Sequence, residues 1–196
     1  MATTIRWTSA DLEKLPHDET HRYEIIEGEL FVSKSPHFNH QLVCSNAIVV
    51  LTAWSKQTGL GIANLAPGVI FSEDNDVIPD VIWISKARLE AALGAGGHLY
   101  QAPELVIEVL SPGSQNVRRD RELKLKLYSR RGVDEYWIMD WHARRVEVFR
   151  RTEAQLQLVG TLDERDTLTT PLLEGFAVTV ASFFEGIPPQ TQADNA

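Results

Sequence analysis

The chain has 196 residues, enough to bury a core without disulfides or structural metal. Its 43% hydrophobic and 23% charged residues are an ordinary balance for a soluble globular protein, and no apolar run approaches the roughly 20 residues needed to cross a bilayer. A formal net charge of −8 excludes a surface that coats nucleic acid indiscriminately.

Charge is unevenly placed. From Arg118 to Arg131, seven basic residues face Asp120 and Glu122, leaving that segment at +5 and the remainder at −13. Such a run is either a solvated helix face or a local anion site. Met1 to Leu15 carries Asp11, Glu13 and Lys14 and lacks the basic-then-apolar pattern of a secretory signal, so a cytoplasmic protein is expected. Cys44 is the only cysteine, which excludes an intrachain disulfide and a multi-cysteine zinc site. Its helical setting makes it a small core residue. His37 and His40, three apart, lack the further ligands a zinc site needs.

In chain order, Arg22 to Ser33 reads as a hairpin turning at Glu27-Gly28. A helix over about Asn39–Thr58 follows, with Val43, Ala47, Val50 and Trp54 at helical spacing, Asn39 as its cap and Gly59 at its end. Gly61–Phe71, Val77–Ser85 and Leu105–Leu110 are three strand-like stretches rich in β-branched residues, with a glycine-rich loop at Leu93–Gly97. Leu123, Leu125 and Leu127 alternate with Lys124 and Lys126 as in a strand, yet Arg119–Arg130 has no β-branched member and is predicted helical, capped by Ser114 or Asn116 and ended by Gly132. Val133–Met139 is a strand, parallel to Leu105–Leu110 through a right-handed crossover. A hairpin, Arg145–Arg150 with Leu156–Thr161, and a short helix near Ala181–Glu185 complete one domain over 1–188, followed by a polar tail at 189–196. The fold class is α/β (α+β), a mixed β-sheet flanked by helices, with added N- and C-terminal hairpins.

Two carboxylates stand out. Glu108 lies inside Leu105, Val106, Ile107, Val109 and Leu110, and Asp80 inside Ile78, Pro79, Val81, Ile82, Trp83 and Ile84. A lone buried charge costs several kcal/mol. A hard cation held by both would offset that cost. The blander readings are a turn residue for Asp80 and a buried ion pair with Lys124 or Arg119 for Glu108. On the predicted helix Asp120, Lys124 and Tyr128 share one stripe beside the Leu123 and Leu127 stripe, which places Lys124 at the edge of the core. Tyr136 and Trp137 fit a buried strand.

Pro79-Asp80, then Glu108 in a later strand, then a basic helix resembles the PD-(D/E)XK nuclease superfamily, whose core is a helix, three strands, a helix and a strand. More narrowly, Tyr23 through Leu30, His40, Pro79-Asp80, Pro103 through Pro112, Asp120, Lys124, Tyr128 and Gly132 through Trp137 resemble the bacterial branch named putative restriction endonucleases of the Uma-two type. The chain departs from the superfamily at Leu110, where the pattern places a lysine; the matching basic residue of this branch is Lys124.

The resemblance implies a restriction-endonuclease-like core and a metal-dependent endonuclease acting on nucleic acid, DNA by preference. Asp80 and Glu108 would ligate Mg²⁺ or Mn²⁺ together with the Val109 carbonyl, and Lys124 would orient water or offset developing charge. Glu29, His40 and Tyr128 are supporting candidates, each with a structural alternative: a surface strand glutamate, a histidine packed at a helix start, a core-edge tyrosine. Arg118, Arg119 and Arg121 are the candidate nucleic-acid contacts. A noncatalytic binding domain on the same scaffold is the rival reading. A homodimer is expected, because cutting both strands of a duplex takes two sites or two events.

Overall fold

A computed structural model describes residues 5–16 and 21–188; the tail assigned to 189–196 lies outside the described residues. Two sheets face each other. The larger has six strands in the order β10-β9-β8-β7-β6-β3, with β3 Gly61–Leu65, β6 Val81–Ser85, β7 Leu105–Val109, β8 Glu135–Asp140, β9 Arg145–Thr152 and β10 Gln155–Asp163. The smaller is β2-β1-β5-β4, built from β1 His21–Ile26, β2 Glu29–Lys34, β4 Val69–Ser72 and β5 Asn75–Val77. In the larger sheet only β7 and β8 run parallel, and their crossover is the helical segment from Ser114 to Arg131.

Alternation along the central strands assigns each side chain to a layer. Val81, Trp83, Leu105, Ile107, Trp137 and Met139 pack against α2, Phe38–Thr58, through Val43, Ala47, Leu51 and Trp54. Ile82, Ile84, Val106, Tyr136 and Ile138 pack against Leu127 and Tyr128 of the crossover and Ile26 and Val77 of the smaller sheet. Glu108 is in step with Val106, so its side chain enters the second layer.

The expected helix–strand series is present as α2, β3, β6, β7, crossover and β8, with differences that have local causes. Gly61–Phe71 is two strands, interrupted at Ala66-Pro67-Gly68, and Val77–Ser85 is two strands, interrupted at Ile78-Pro79-Asp80. Each proline lacks the N–H that a continuing ladder needs. The halves consequently join different sheets, and Asp80 precedes β6 rather than lying within it. His37, not Asn39, caps α2: its imidazole accepts from Asn39 N at 3.1 Å. Short helices α1 (Ser9–Leu12) and α3 (Lys86–Ala92) and a two-strand pair, β11 Thr167–Thr169 with β12 Ala177–Thr179, add to the predicted set. The helix expected at Ala181–Glu185 is a 3-10 turn over Val180–Phe184.

The crossover is composite: α4 Ser114–Arg118, a π-helical segment Arg119–Lys124, then α5 Leu125–Arg131. Gly113 stands at its N-cap without a side-chain cap; Asn116 instead donates to the Pro112 carbonyl at 2.7 Å. Gly132 ends it in the left-handed conformation, φ 89°.

Gly61 tests the packing of the edge strand. A Cβ there would lie 2.4 Å from the Ile84 carbonyl oxygen and 2.5 Å from the Trp83 ring. Gly61→Ala is expected to lower stability by roughly 1–3 kcal/mol in urea unfolding, whereas Gly160→Ala, with nothing within 4 Å of its Cβ, should stay within about 0.5 kcal/mol of the parent. Equal stability of the two variants would contradict the β3–β6 contact.

Candidate active site

A cleft of about 360 Å³ opens where the hairpin, the start of α2, the Ile78–Asp80 segment and the crossover meet; Asp80, Glu108, Lys124, His40, Glu24 and Arg119 all line it. Glu108 is 1% exposed, Lys124 1% and Asp80 7%. Lys124 Nζ stands 2.9 Å from Glu108 Oε1 and 2.9 Å from Glu24 Oε1. Tyr128 donates its hydroxyl to the same Glu108 oxygen at 2.8 Å. Both Lys124 and Tyr128 thus use Oε1, and neither uses Oε2.

Asp80 is held from three elements. Its Oδ2 accepts from the Val109 backbone N–H at 2.9 Å and pairs with His40 Nε2 at 3.1 Å, while Oδ1 faces Arg22 at 3.4 Å. His40 Nδ1 lies 3.6 Å from the Cys44 sulfur. His40, Cys44 and Asp80 thereby form a compact trio, but burial first, and then Asp80 and Glu108, push the Cys44 thiol up, keeping it protonated. A protonated thiol is a poor metal ligand.

Asp120 and Lys124 are the buried residues of the π segment. Arg119 pairs with Asp120 at 2.9 Å and approaches Glu24 at 3.8 Å. Burial raises Glu108, with Lys124 opposing and Asp80, Asp120 and Glu24 reinforcing the rise, so this carboxyl lies above the ordinary range. Burial would depress Lys124, but Glu108 and Glu24 overcome it and hold the lysine above its usual value, protonated.

The site therefore assembles Asp80, Glu108, Lys124, Tyr128 and His40, and excludes three of the expected residues. Glu29 is exposed opposite Ile26 at the turn end of the hairpin and lines a separate depression with Arg118. Arg118 pairs with Glu122 at 3.2 Å outside the cleft, and Arg121 is turned to β9, where Glu147 binds it at 2.7 Å. Of the three arginines only Arg119 reaches the cleft. Lys124 is not at the core edge but fully enclosed. Glu24, Arg22 and Asp120 are additions; Glu24, flanked by Tyr23, Ile25 and Ile26, carries the same signal that singled out Glu108, a carboxylate in an apolar strand.

The surroundings of Asp80 set a pH signature. Burial raises its pKa, yet His40, Lys124 and the Val109 N–H together bring it down to about 2, below the ordinary carboxylate range. A depressed carboxyl contributes stability that is complete above about pH 4 and is lost as pH falls toward about 2. Carboxyl NMR of the metal-free protein is expected to place the Asp80 midpoint near 2; an unshifted midpoint would contradict the arrangement.

No curated protein matches the sequence. The structure is similar to the crystal structure of a putative nuclease belonging to DUF820 from Anabaena variabilis ATCC 29413, with a TM-score of 0.72 and 21% identity over 90% of this chain and 97% of that one. This likeness establishes the fold. The family model Uma2, described as "Putative restriction endonuclease", matches residues 9–181. The chain belongs to the Uma2 family.

Proposed function

We propose that the chain is an endonuclease that hydrolyses phosphodiester bonds of DNA with Mg²⁺ or Mn²⁺, using Asp80 and Glu108 as metal ligands and Lys124 beside them. The observation that carries this reading is the place of the Lys124 ammonium, 2.9 Å from Glu108 in the cleft that holds Asp80. It supplies from the crossover the positive charge that Leu110 cannot supply from the strand.

The donor set fits a hard divalent cation. Four carboxylates, from Glu24, Asp80, Glu108 and Asp120, are buried together. Lys124, Arg119 and Arg22 are cationic partners among them, so the carboxyl groups outnumber these cations, and a bound cation would favour the ionised form of Glu108, which burial holds above the ordinary range. Glu108 Oε2 and Asp80 Oδ1, the less engaged oxygens, are hard donors. Bound there, the cation would acidify a water and polarise the scissile phosphate. The remaining work falls to the chain. Arg22, Lys34 and Arg119 line the cleft and place positive charge where a phosphate must enter. Tyr128 and Lys124 fix the Glu108 carboxylate through Oε1. Lys124 offsets negative charge as the phosphate is attacked and orients the attacking water.

Plasmid cleavage in Mg²⁺, abolished by a chelator and reduced by at least about 10²-fold in Asp80→Asn and Glu108→Gln, is the expected result. Retention of DNA without cleavage would favour the noncatalytic binding domain, for which the enclosure of Lys124 between two carboxylates speaks. Lys124→Ala is expected to lower the rate about 10²–10⁴-fold. It should also destabilise the fold by roughly 3–5 kcal/mol, because it strands buried carboxylates. Lys126, exposed and paired with Glu27 at 3.3 Å, is the control whose removal should cost little. Comparable losses in both variants would show that the crossover supplies only diffuse charge.

A further inference from the structure

We infer that Glu24 is a positioning residue for Lys124; the inference rests on the endonuclease reading of the site. Glu24 reaches the cleft from β1, in the smaller sheet, and is 2% exposed. Its Oε1 accepts from Lys124 at 2.9 Å and from the Ile78 backbone N–H at 2.9 Å, two residues before Asp80. One carboxylate oxygen therefore ties the lysine to the segment that delivers Asp80.

An ammonium has three N–H donors. Glu24 and Glu108 each lie 2.9 Å from Nζ, and Asp120 lies at 4.0 Å, beyond hydrogen-bond reach. With two donors anchored at fixed points, tetrahedral geometry fixes the direction of the third. A lysine held by Glu108 alone could swing about that single bond. Its whole charge would also rest on the carboxylate proposed to hold the cation. Glu24 removes both difficulties: it locks the ammonium and shares its charge, leaving Glu108 a stronger cation ligand. Arg119, 3.8 Å from Glu24 Oε2, steadies the carboxylate from its other side.

Glu24→Gln keeps the size and the acceptor for Ile78 and Lys124 but removes the charge. In the full chain it is expected to fold as the parent does, to lower plasmid cleavage about 10–100-fold, the usual cost of losing a group that orients a ligand or reacting side chain, and to raise the Mg²⁺ concentration for half-maximal cleavage. Because Glu24 acts through the lysine, Glu24→Gln should cost nothing further in a Lys124→Met background. The ¹⁵N-labelled Lys124 ammonium, slowly exchanging in the parent, should exchange faster in Glu24→Gln, a change that a stability defect alone would not confine to one side chain. Should Glu24→Gln fail to fold, Glu24→Asp, which withdraws the charge by one methylene, is expected to give the same changes in smaller degree. Parent-like cleavage and Mg²⁺ dependence in the variant, or additive losses in the double variant, would overturn the positioning role while leaving the endonuclease reading intact. No cleavage by the parent in Mg²⁺ or Mn²⁺ would overturn that reading and this role with it.

Discussion

A lysine enclosed to 1% exposure and kept protonated by two carboxylates is the constraint on which the site depends. Desolvating one ammonium and several carboxylates costs several kcal/mol per ion, repaid only when hydrogen bonds and opposite charges are placed well. That placement draws on separate parts of the chain: β1 supplies Glu24, β7 supplies Glu108, and the crossover supplies Arg119, Asp120, Lys124 and Tyr128. The two sheets and the crossover are thereby locked at one point, and removing the lysine leaves Glu24 and Glu108 buried without their shared cation.

The π-helical segment makes this convergence compatible with a helix. Its wider turn brings Asp120 and Lys124 inward while Arg121 leaves toward Glu147. Such segments recur at functional sites because they re-aim side chains without ending the helix. Asp80 is treated differently. Pro79 ends one sheet's strand and Asp80 opens the approach to the other, where the Val109 N–H, His40 and Arg22 can all reach it.

Much of this was legible in the sequence, for physical reasons. Glu108 stood out because charge in an apolar run must be compensated, and the 119–130 stretch was helical because its composition outweighs the leucine alternation. The strand interruptions at Pro67 and Pro79 lay within otherwise apolar runs, and hydrophobicity masked the missing N–H. Glu24 carried the signal of Glu108, but nothing local says that the hairpin folds over the crossover. Arg118 and Arg121 show the converse limit: a charge run counts cations without giving their directions, and Glu122 and Glu147 decide those. Leu110 stands where a strand lysine was expected; of the two ion-pair partners the sequence left open for Glu108, Lys124 and Arg119, the tertiary arrangement brings Lys124 into contact.

On the endonuclease reading, the excess of carboxylates around Lys124 is a cation site and not a closed ion-pair core. A crystal grown with Mn²⁺, with anomalous scattering used to locate the ion, tests it directly. One Mn²⁺ is expected within about 2.0–2.6 Å of carboxylate oxygens from both Asp80 and Glu108, with Lys124 still bonded to Glu24. No anomalous peak in the cleft at saturating Mn²⁺, with Lys124 still bridging Glu24 and Glu108, would contradict it.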